Sequence, residues 1–227
     1  MSKTNNGLVE YAKAQLGLPY WYGTFGNTAD EHLYKYKKKQ YPKYYNPWSD
    51  FPTQYGKRVH DCVGLIKGYL WSDSAVSAPK YNGAQDHTAD DYRARCKEKG
   101  SIDTMPDIPG VLVFSSGHVG VYIGSGYVIE ARGHEYGVVK TKLKNRPWKW
   151  WGKCPYIDYE DGIKKYRLTV KNGTWNVRSG VGTAYGIVSV VKDGQEFSSS
   201  KTAGGWYYID SIGGWISGKG VMLSDNR

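Results

Sequence analysis

Gly117-His118-Val119-Gly120-Val121-Tyr122-Ile123-Gly124-Ser125-Gly126-Tyr127-Val128-Ile129-Glu130-Ala131 is the stretch on which the fold turns. Val119, Val121 and Ile123 alternate with other residues, as do Tyr127, Ile129 and Ala131, and a glycine-rich connection lies between the two runs. A two-residue loop would send the two apolar sets to opposite faces. A three-residue loop, Gly124-Ser125-Gly126, pairs Ile123 with Tyr127, Val121 with Ile129 and Val119 with Ala131, and buries both sets on one face. The same register sets Gly120 opposite Glu130 and His118 diagonal to it on the polar face. Gly120 is expected to leave room there, so that Glu130 reaches the His118 ring and fixes its tautomer. An ordinary solvated strand carboxylate is the plainer reading of Glu130. His134, beyond the hairpin after Arg132-Gly133, competes for the same role.

Working outward, further short β-like runs are expected at 111–114 and 138–141. Upstream the texture is helical. Leu8, Val9, Ala12 and Leu16 share a face of a helix over 5–16, with Gly17 as its stop. A second helix is expected over 62–71. A third, over 89–99, has acidic residues early, basic residues late and Gly100 as its stop, which suits the helix dipole. Helices first and strands afterwards give an α+β domain. Residues 27–59 are polar, basic and tyrosine-rich, and read as an insertion packed on a surface and partly irregular.

Asp61 is a good N-cap residue, which would place Cys62 in the first helical turn. There the helix dipole and unpaired amides favour the reactive thiolate and can serve as oxyanion donors. Gly64 and Gly68 share a helical face and would let a sheet approach. The plainer reading of Cys62 is a buried structural cysteine. Surface positions are the default for His32, His60 and His87.

The chain has 227 residues and a net charge of +10, with 21 Tyr and nine Trp. Such a basic chain is drawn to polyanions. No nucleic-acid motif is present, so nucleic acid is not expected as a partner. No signal-peptide pattern and no long apolar run is visible, so synthesis in a reducing compartment without membrane insertion is expected. Cys62, Cys96 and Cys154 lack metal-ligand spacing, so neither metal nor cofactor is expected. After a linker at 158–166, residues 167–227 carry four to six short β-like runs between Gly-rich turns, which suggests a small barrel. Trp175, Tyr185, Trp206 and Trp215 could line an aromatic groove on it, or fill its core.

Leu18-Pro19-Tyr20-Trp21-Tyr22-Gly23, His60-Asp61-Cys62-Val63-Gly64-Leu65 and Gly117-His118-Val119-Gly120-Val121-Tyr122-Ile123-Gly124 resemble the NlpC-type endopeptidases, papain-like cysteine peptidases that cut peptidoglycan stem peptides. The resemblance covers about residues 5–157, within a first domain taken as 1–157. It implies Cys62 as nucleophile, His118 as base and a third polar residue where Glu130 stands. The family often has His, Asn or Gln there, and Ser where this chain has Val63. The resemblance also implies that Tyr20, with Tyr22 as fallback, frames the site beside Asp61. Asn176-Val177-Arg178-Ser179-Gly180 is similar to the bacterial SH3 modules that bind cell walls. Together these imply a phage endolysin-like peptidoglycan hydrolase, monomeric, that acts at the wall after release or export. The bond implied lies between D-γ-glutamyl and a diamino acid. An N-acetylmuramoyl-L-alanine amidase and a non-catalytic wall-binding protein are the alternatives.

Overall fold

The computed structural model describes residues 3–159 and 166–224. The chain divides into two units, Met1–Asp161 and Gly162–Arg227. Most of the expected linker lies outside the described residues.

The first unit opens with α1 (Asn5–Ala14), capped by the Thr4 side chain, which accepts from the Gly7 N–H. Leu8, Val9 and Ala12 face the core, but Leu16 is 42% exposed. The helix ends two residues before it, and Gly17 turns the chain away at a positive φ. There follow β1 (Phe25–Thr28), α2 (Glu31–Gln40), α3 (Pro42–Tyr45), β2 (Arg58–His60), α4 (Gly64–Trp71) and α5 (Ala89–Arg95). The strands β3 (Lys99–Ser101), β4 (Leu112–Ser115), β5 (His118–Tyr122), β6 (Tyr127–Ala131), β7 (Val138–Lys142) and β8 (Trp150–Gly152) complete the unit. These six form an antiparallel sheet in the order β3-β8-β4-β5-β6-β7, and β1 pairs with β2 separately.

The hairpin has the expected register: Val121 pairs with Ile129 and Tyr122 with Val128. Gly124, Ser125 and Gly126 all adopt positive φ in the connection. Val119, Val121, Ile129 and Ala131 join Leu8, Ala12, Leu65 and Ile66 in one core between helices and sheet. The opposite face, expected to be polar with room at Gly120, is covered. Trp148 packs over it with Val113, Tyr122 and Val128. The space above Gly120 is taken by Val128 and the Trp148 ring, and Glu130 is 0% exposed.

Helix boundaries differ from expectation for local reasons. Regular α4 starts at Gly64, two residues after Cys62. Asp61 still performs the chemistry of a cap: its carbonyl accepts the Leu65 N–H, and its Oδ1 accepts the Gly64 N–H at 2.6 Å. Gly64 and Gly68 do admit a close neighbour, but it is the 24–25 backbone and Tyr11 rather than the large sheet. Helix α5 ends at Arg95 because the chain beyond it joins the sheet edge, with Gly100 paired to Trp151. Gly100 is therefore a strand residue and not a helix stop.

The 27–59 insertion is ordered, and it has a core of its own. Trp21, Ala29, Tyr45, Phe51 and Val59 are buried together. The Trp21 ring meets Phe51 edge-on at 5.1 Å, and its Nε1 donates to Gln54 Oε1 at 2.7 Å. Aromatic rings supply enough apolar area to order a segment otherwise rich in lysine. Lys37 itself is buried, between the rings of Tyr36 and Tyr41.

The second unit is all-β. Its strands are β9 (Tyr166–Val170), β10 (Thr174–Arg178), β11 (Ile187–Lys192), β12 (Glu196–Ala203), β13 (Trp206–Ile209), β14 (Gly214–Ser217) and β15 (Val221–Ser224). They make an antiparallel sheet in the order β11-β10-β14-β13-β12-β9-β15, one strand more than the upper expectation. Leu168, Val170, Val177, Val191, Ile209, Ile216 and Val221 form its core.

The tight seat of Gly64 generates a test. A methyl group there would overlap the Thr24 carbonyl oxygen. Gly64→Ala is expected to destabilise the first unit by about 1–3 kcal/mol or more, read as a lowered midpoint of thermal unfolding. An unchanged midpoint would show that the 20–24 loop yields freely.

Candidate active site

Asp61 is the staple between two backbone segments. Its Oδ2 accepts the Gly23 N–H at 2.8 Å while Oδ1 holds Gly64, and its own N–H donates to Thr24. Burial raises its pKa, opposed by these amides and by Lys67 and Lys37. The staple fixes the 20–24 loop against the turn that carries Cys62. Tyr20 forms a bridge with His60 and packs on the main core beside Cys62. Burial, then Asp61 and Cys62, push its hydroxyl pKa far up. Tyr22 instead stacks on Tyr44 of the insertion, with ring centroids 3.7 Å apart. Burial and Tyr44 raise its pKa to about 12.

Cys62 is half-buried, with Sγ 4.0 Å from the carbonyl oxygen of Gly117, the residue before His118. The start of α4 and the start of β5 therefore meet at the sulfur. At the sulfur the helix-start amides are opposed by burial and by a neighbouring carboxylate. Burial, then the Asp61 carboxylate, push the thiol up to about 12, against the opposing amides of Val63, Val119 and Cys62 itself. Cys96 and Cys154 are buried, and burial raises them to about 11 and about 12.

His118 follows Gly117 as the first residue of β5. Its Nε2 is 2.7 Å from Glu130 Oε2, and its ring stacks on Trp148 at 5.4 Å, with 9° between the planes. The Glu130 carboxylate is held on every side. Thr141 Oγ1 and Arg146 Nε donate to Oε1 at 2.8 Å, and an Arg146 terminal nitrogen donates to Oε2 at 2.9 Å. Burial alone would raise its pKa. The hydrogen bonds from His118, Arg146 and Thr141 outweigh burial and hold it at about 2, against an ordinary 4.5. An ionised carboxylate only accepts, so Nε2 of His118 carries a proton, and Nδ1 is the nitrogen left to take up or release one.

The other histidines sort differently. His134 Nε2 is 2.6 Å from Asp50, and its ring stacks on Trp48 at 4.4 Å, so it ties the 133–137 turn to the insertion. His60 is not on the surface. It is fully buried with Nε2 2.9 Å from the Tyr11 hydroxyl, and burial, then Arg58, lower its pKa to about 3. His87 is half-buried against Tyr156, and His32 is exposed. Among the described residues no group of three or more His, Cys, Asp or Glu could hold a metal. No described helix is long and apolar enough to cross a membrane.

Thr141, Arg146, Trp148 and Asp90 belong to this neighbourhood and escaped the sequence reading. Thr141 was findable. Glu130 pairs with Val139 and Val128 with Thr141, so extending the register to β7 puts Thr141 on the Glu130 face. Arg146 and Trp148 lie in an aperiodic return after β7 that gives no such signal. Asp90 Oδ2 accepts the Gly117 N–H at 3.1 Å.

In the second unit, Trp175 is half-buried and donates through Nε1 to the Lys171 carbonyl, with its ring over Gly220. Trp215 meets Tyr208 at 5.3 Å and Trp206 is half-buried opposite Ser217. Tyr185 is 52% exposed and covers Gly180. Among the described residues no ring pair joins any two of these four.

Residues 50–154 match the model of the NlpC/P60 family. This segment contains Cys62, His118, Glu130, Thr141 and Arg146. No curated protein sequence matches the chain. Among solved structures, the P60 domain of an antigen of M. avium subspecies paratuberculosis is 20% identical with a TM-score of 0.40, over 68% of this chain and 98% of that one. The peptidoglycan hydrolase RipB of Mycobacterium tuberculosis is 18% identical with a TM-score of 0.38, over 68% of this chain and 67% of that one. Ly7917 is 14% identical with a TM-score of 0.30, over 98% of this chain and 94% of that one.

The carboxylate cluster has a pH signature. A carboxyl depressed from 4.5 to about 2 contributes stability that is present above pH 4.5 and lost as pH falls toward 2. Arg146→Met removes two of the bonds that depress it. The variant is expected to lose stability at a higher pH than the parent, read as thermal midpoints between pH 2 and pH 6. Coincident curves would show that Arg146 does not set the ionisation of Glu130.

Proposed function

We propose that the first unit is a peptidoglycan hydrolase acting as a cysteine endopeptidase, with Cys62 as nucleophile, His118 as general base and Glu130 as the residue that orients it. The observation that carries this reading is a buried, ionised carboxylate that fixes one tautomer of a histidine whose strand starts against the only half-exposed cysteine of the three. The match of residues 50–154 to the NlpC/P60 model supports the substrate class.

The raised thiol shapes the mechanism. The Cys62 proton passes to Nδ1 of His118 as sulfur attacks the amide carbonyl, so thiolate is formed on demand and does not stand ready. The imidazolium is stabilised by Glu130 and gives its proton to the leaving amine. Water, deprotonated by His118, then attacks the thioester, and the acid and the Cys62 thiol are released. The scissile bond is proposed to join D-γ-glutamyl to a diamino acid. Tyr20 and Asp61 frame the site, with Tyr22 further out. The second unit is proposed as an SH3-like wall-binding module that raises the local concentration of the hydrolase on an insoluble substrate. An endolysin-like monomer released to the wall fits this pairing.

Cys62→Ala and His118→Ala are each expected to lower release of stem-peptide fragments from defined peptidoglycan by about a thousandfold or more, read by mass spectrometry. The masses also name the bond, and a muramic acid–L-alanine cut would assign an amidase instead. The high thiol pKa favours a second reading, a wall-binding protein with an inert Cys62. Exposure alone would make Cys62 label faster than Cys96 or Cys154, so the discriminating measurement is its labelling rate in His118→Ala. A slower rate supports the hydrolase, and an unchanged rate supports the inert thiol. Removal of the residues after 160 is expected to reduce pelleting with cell walls, and undiminished pelleting would sink the binding role of the second unit.

A further inference from the structure

Beyond the Cys62 centre, the first unit has an open cleft of about 370 Å³ lined by Arg93, Ala94, Lys99, Gly100, Trp150 and Trp151. None of these residues takes part in the proposed chemistry. Arg93 is the unusual group in it. Its guanidinium lies 4.0 Å from the centroid of the Trp150 ring. Its Nε is shielded from solvent, and no hydrogen-bond partner reaches it among the described residues. The acidic oxygen that faces it, Asp90 Oδ1, stands off at 3.9 Å. The other oxygen of Asp90 is engaged by the Gly117 N–H. The Arg93 side chain as a whole is one-third exposed, so a planar anion in the open cleft can reach its guanidinium and accept a charge-assisted hydrogen bond from it. Lys99, bonded to the carbonyls of Arg93 and Ala94, adds positive charge at the rim.

The place of the cleft suggests what brings the anion. Gly117 touches Cys62 Sγ through its carbonyl and Asp90 through its N–H. Arg93 is three residues further along α5, a rise of about 4.5 Å. The guanidinium is thus on the order of 10 Å from the reacting sulfur. Two to three extended residues span that distance, at about 3.3 Å each.

We infer that the Arg93–Trp150 cleft binds the terminal carboxylate of the peptide held at Cys62, with the adjoining residue packed on the tryptophan faces. The inference rests on reading that centre as a stem-peptide hydrolase. It would make Arg93 a specificity residue that favours short chains with a free carboxyl end.

The test uses the full chain carrying Cys62→Ala, so that binding is read without cleavage. Two synthetic stem peptides that differ only in a C-terminal carboxylate or carboxamide are titrated by calorimetry. The acid is expected to bind about tenfold more tightly than the amide. Adding Arg93→Gln should abolish the difference. Adding Arg93→Lys, which keeps the charge and loses the fork, should restore part of it. Equal binding of acid and amide to the Cys62→Ala protein would overturn the inference without any Arg93 variant, so it stays decidable if Arg93→Gln fails to fold. A preference that survives in folded Arg93→Gln would also overturn it, as would inorganic phosphate displacing the acid at equal concentration. Failure of the hydrolase reading would show separately, as no cleavage of either peptide by the unsubstituted protein.

Discussion

The Glu130 carboxylate is the constraint around which the first unit is arranged. A carboxylate removed from water is tolerated only when its oxygens are fully bonded. Here the bonds come from three elements: His118 at the start of β5, Thr141 on β7 and Arg146 in the return beyond it. The same return brings Trp148 down onto the His118 ring. Tautomer, ring orientation and the packing of the sheet's second face are thus set by one group. A strand carboxylate in water could do none of this, because it would exchange partners freely.

Asp61, the residue before Cys62, is a second fixed carboxyl group. It joins the 20–24 loop to the turn before α4, and through Tyr22 and Tyr44 it connects to the insertion. The insertion is fixed at its far end too, where Asp50 and Trp48 hold His134 in the turn after β6. The segment just before the Cys62 turn is therefore tied to the strand that carries Glu130. The two sides of the site are held in register by aromatic packing as well as by the shared core.

Much of this was legible in sequence wherever periodicity and steric need coincide. The alternation through 119–131 admits one register, and that register alone brings His118 and Glu130 together. Asp61 was readable as a cap from its side chain, although regular helix starts later. Legibility failed where tertiary contact overrode local pattern. Gly100 follows a run that suits a helix, yet pairing with Trp151 draws it into the sheet. His60 sits in a three-residue strand, too short to show a period, and is wholly buried. The cover of the hairpin's polar face is not legible, because residues 143–149, which supply Leu143 and Trp148, have no period of their own. At Cys62 the helix-start amides are legible in sequence, whereas the burial that opposes them comes from tertiary packing.

That protonated sulfur has a consequence for durability. Peroxides and disulfides react with thiolates, and burial together with the Asp61 carboxylate disfavours that form at Cys62. On the proposed reading of Cys62 as nucleophile, the sulfur would ionise only while a substrate engages His118 and would stay chemically quiet between encounters. The chain has no disulfide partner ready to rescue an oxidised Cys62, since Cys96 and Cys154 are buried elsewhere in the unit. Burial and the Asp61 carboxylate thus act against oxidation of this sulfur as well as against its ionisation.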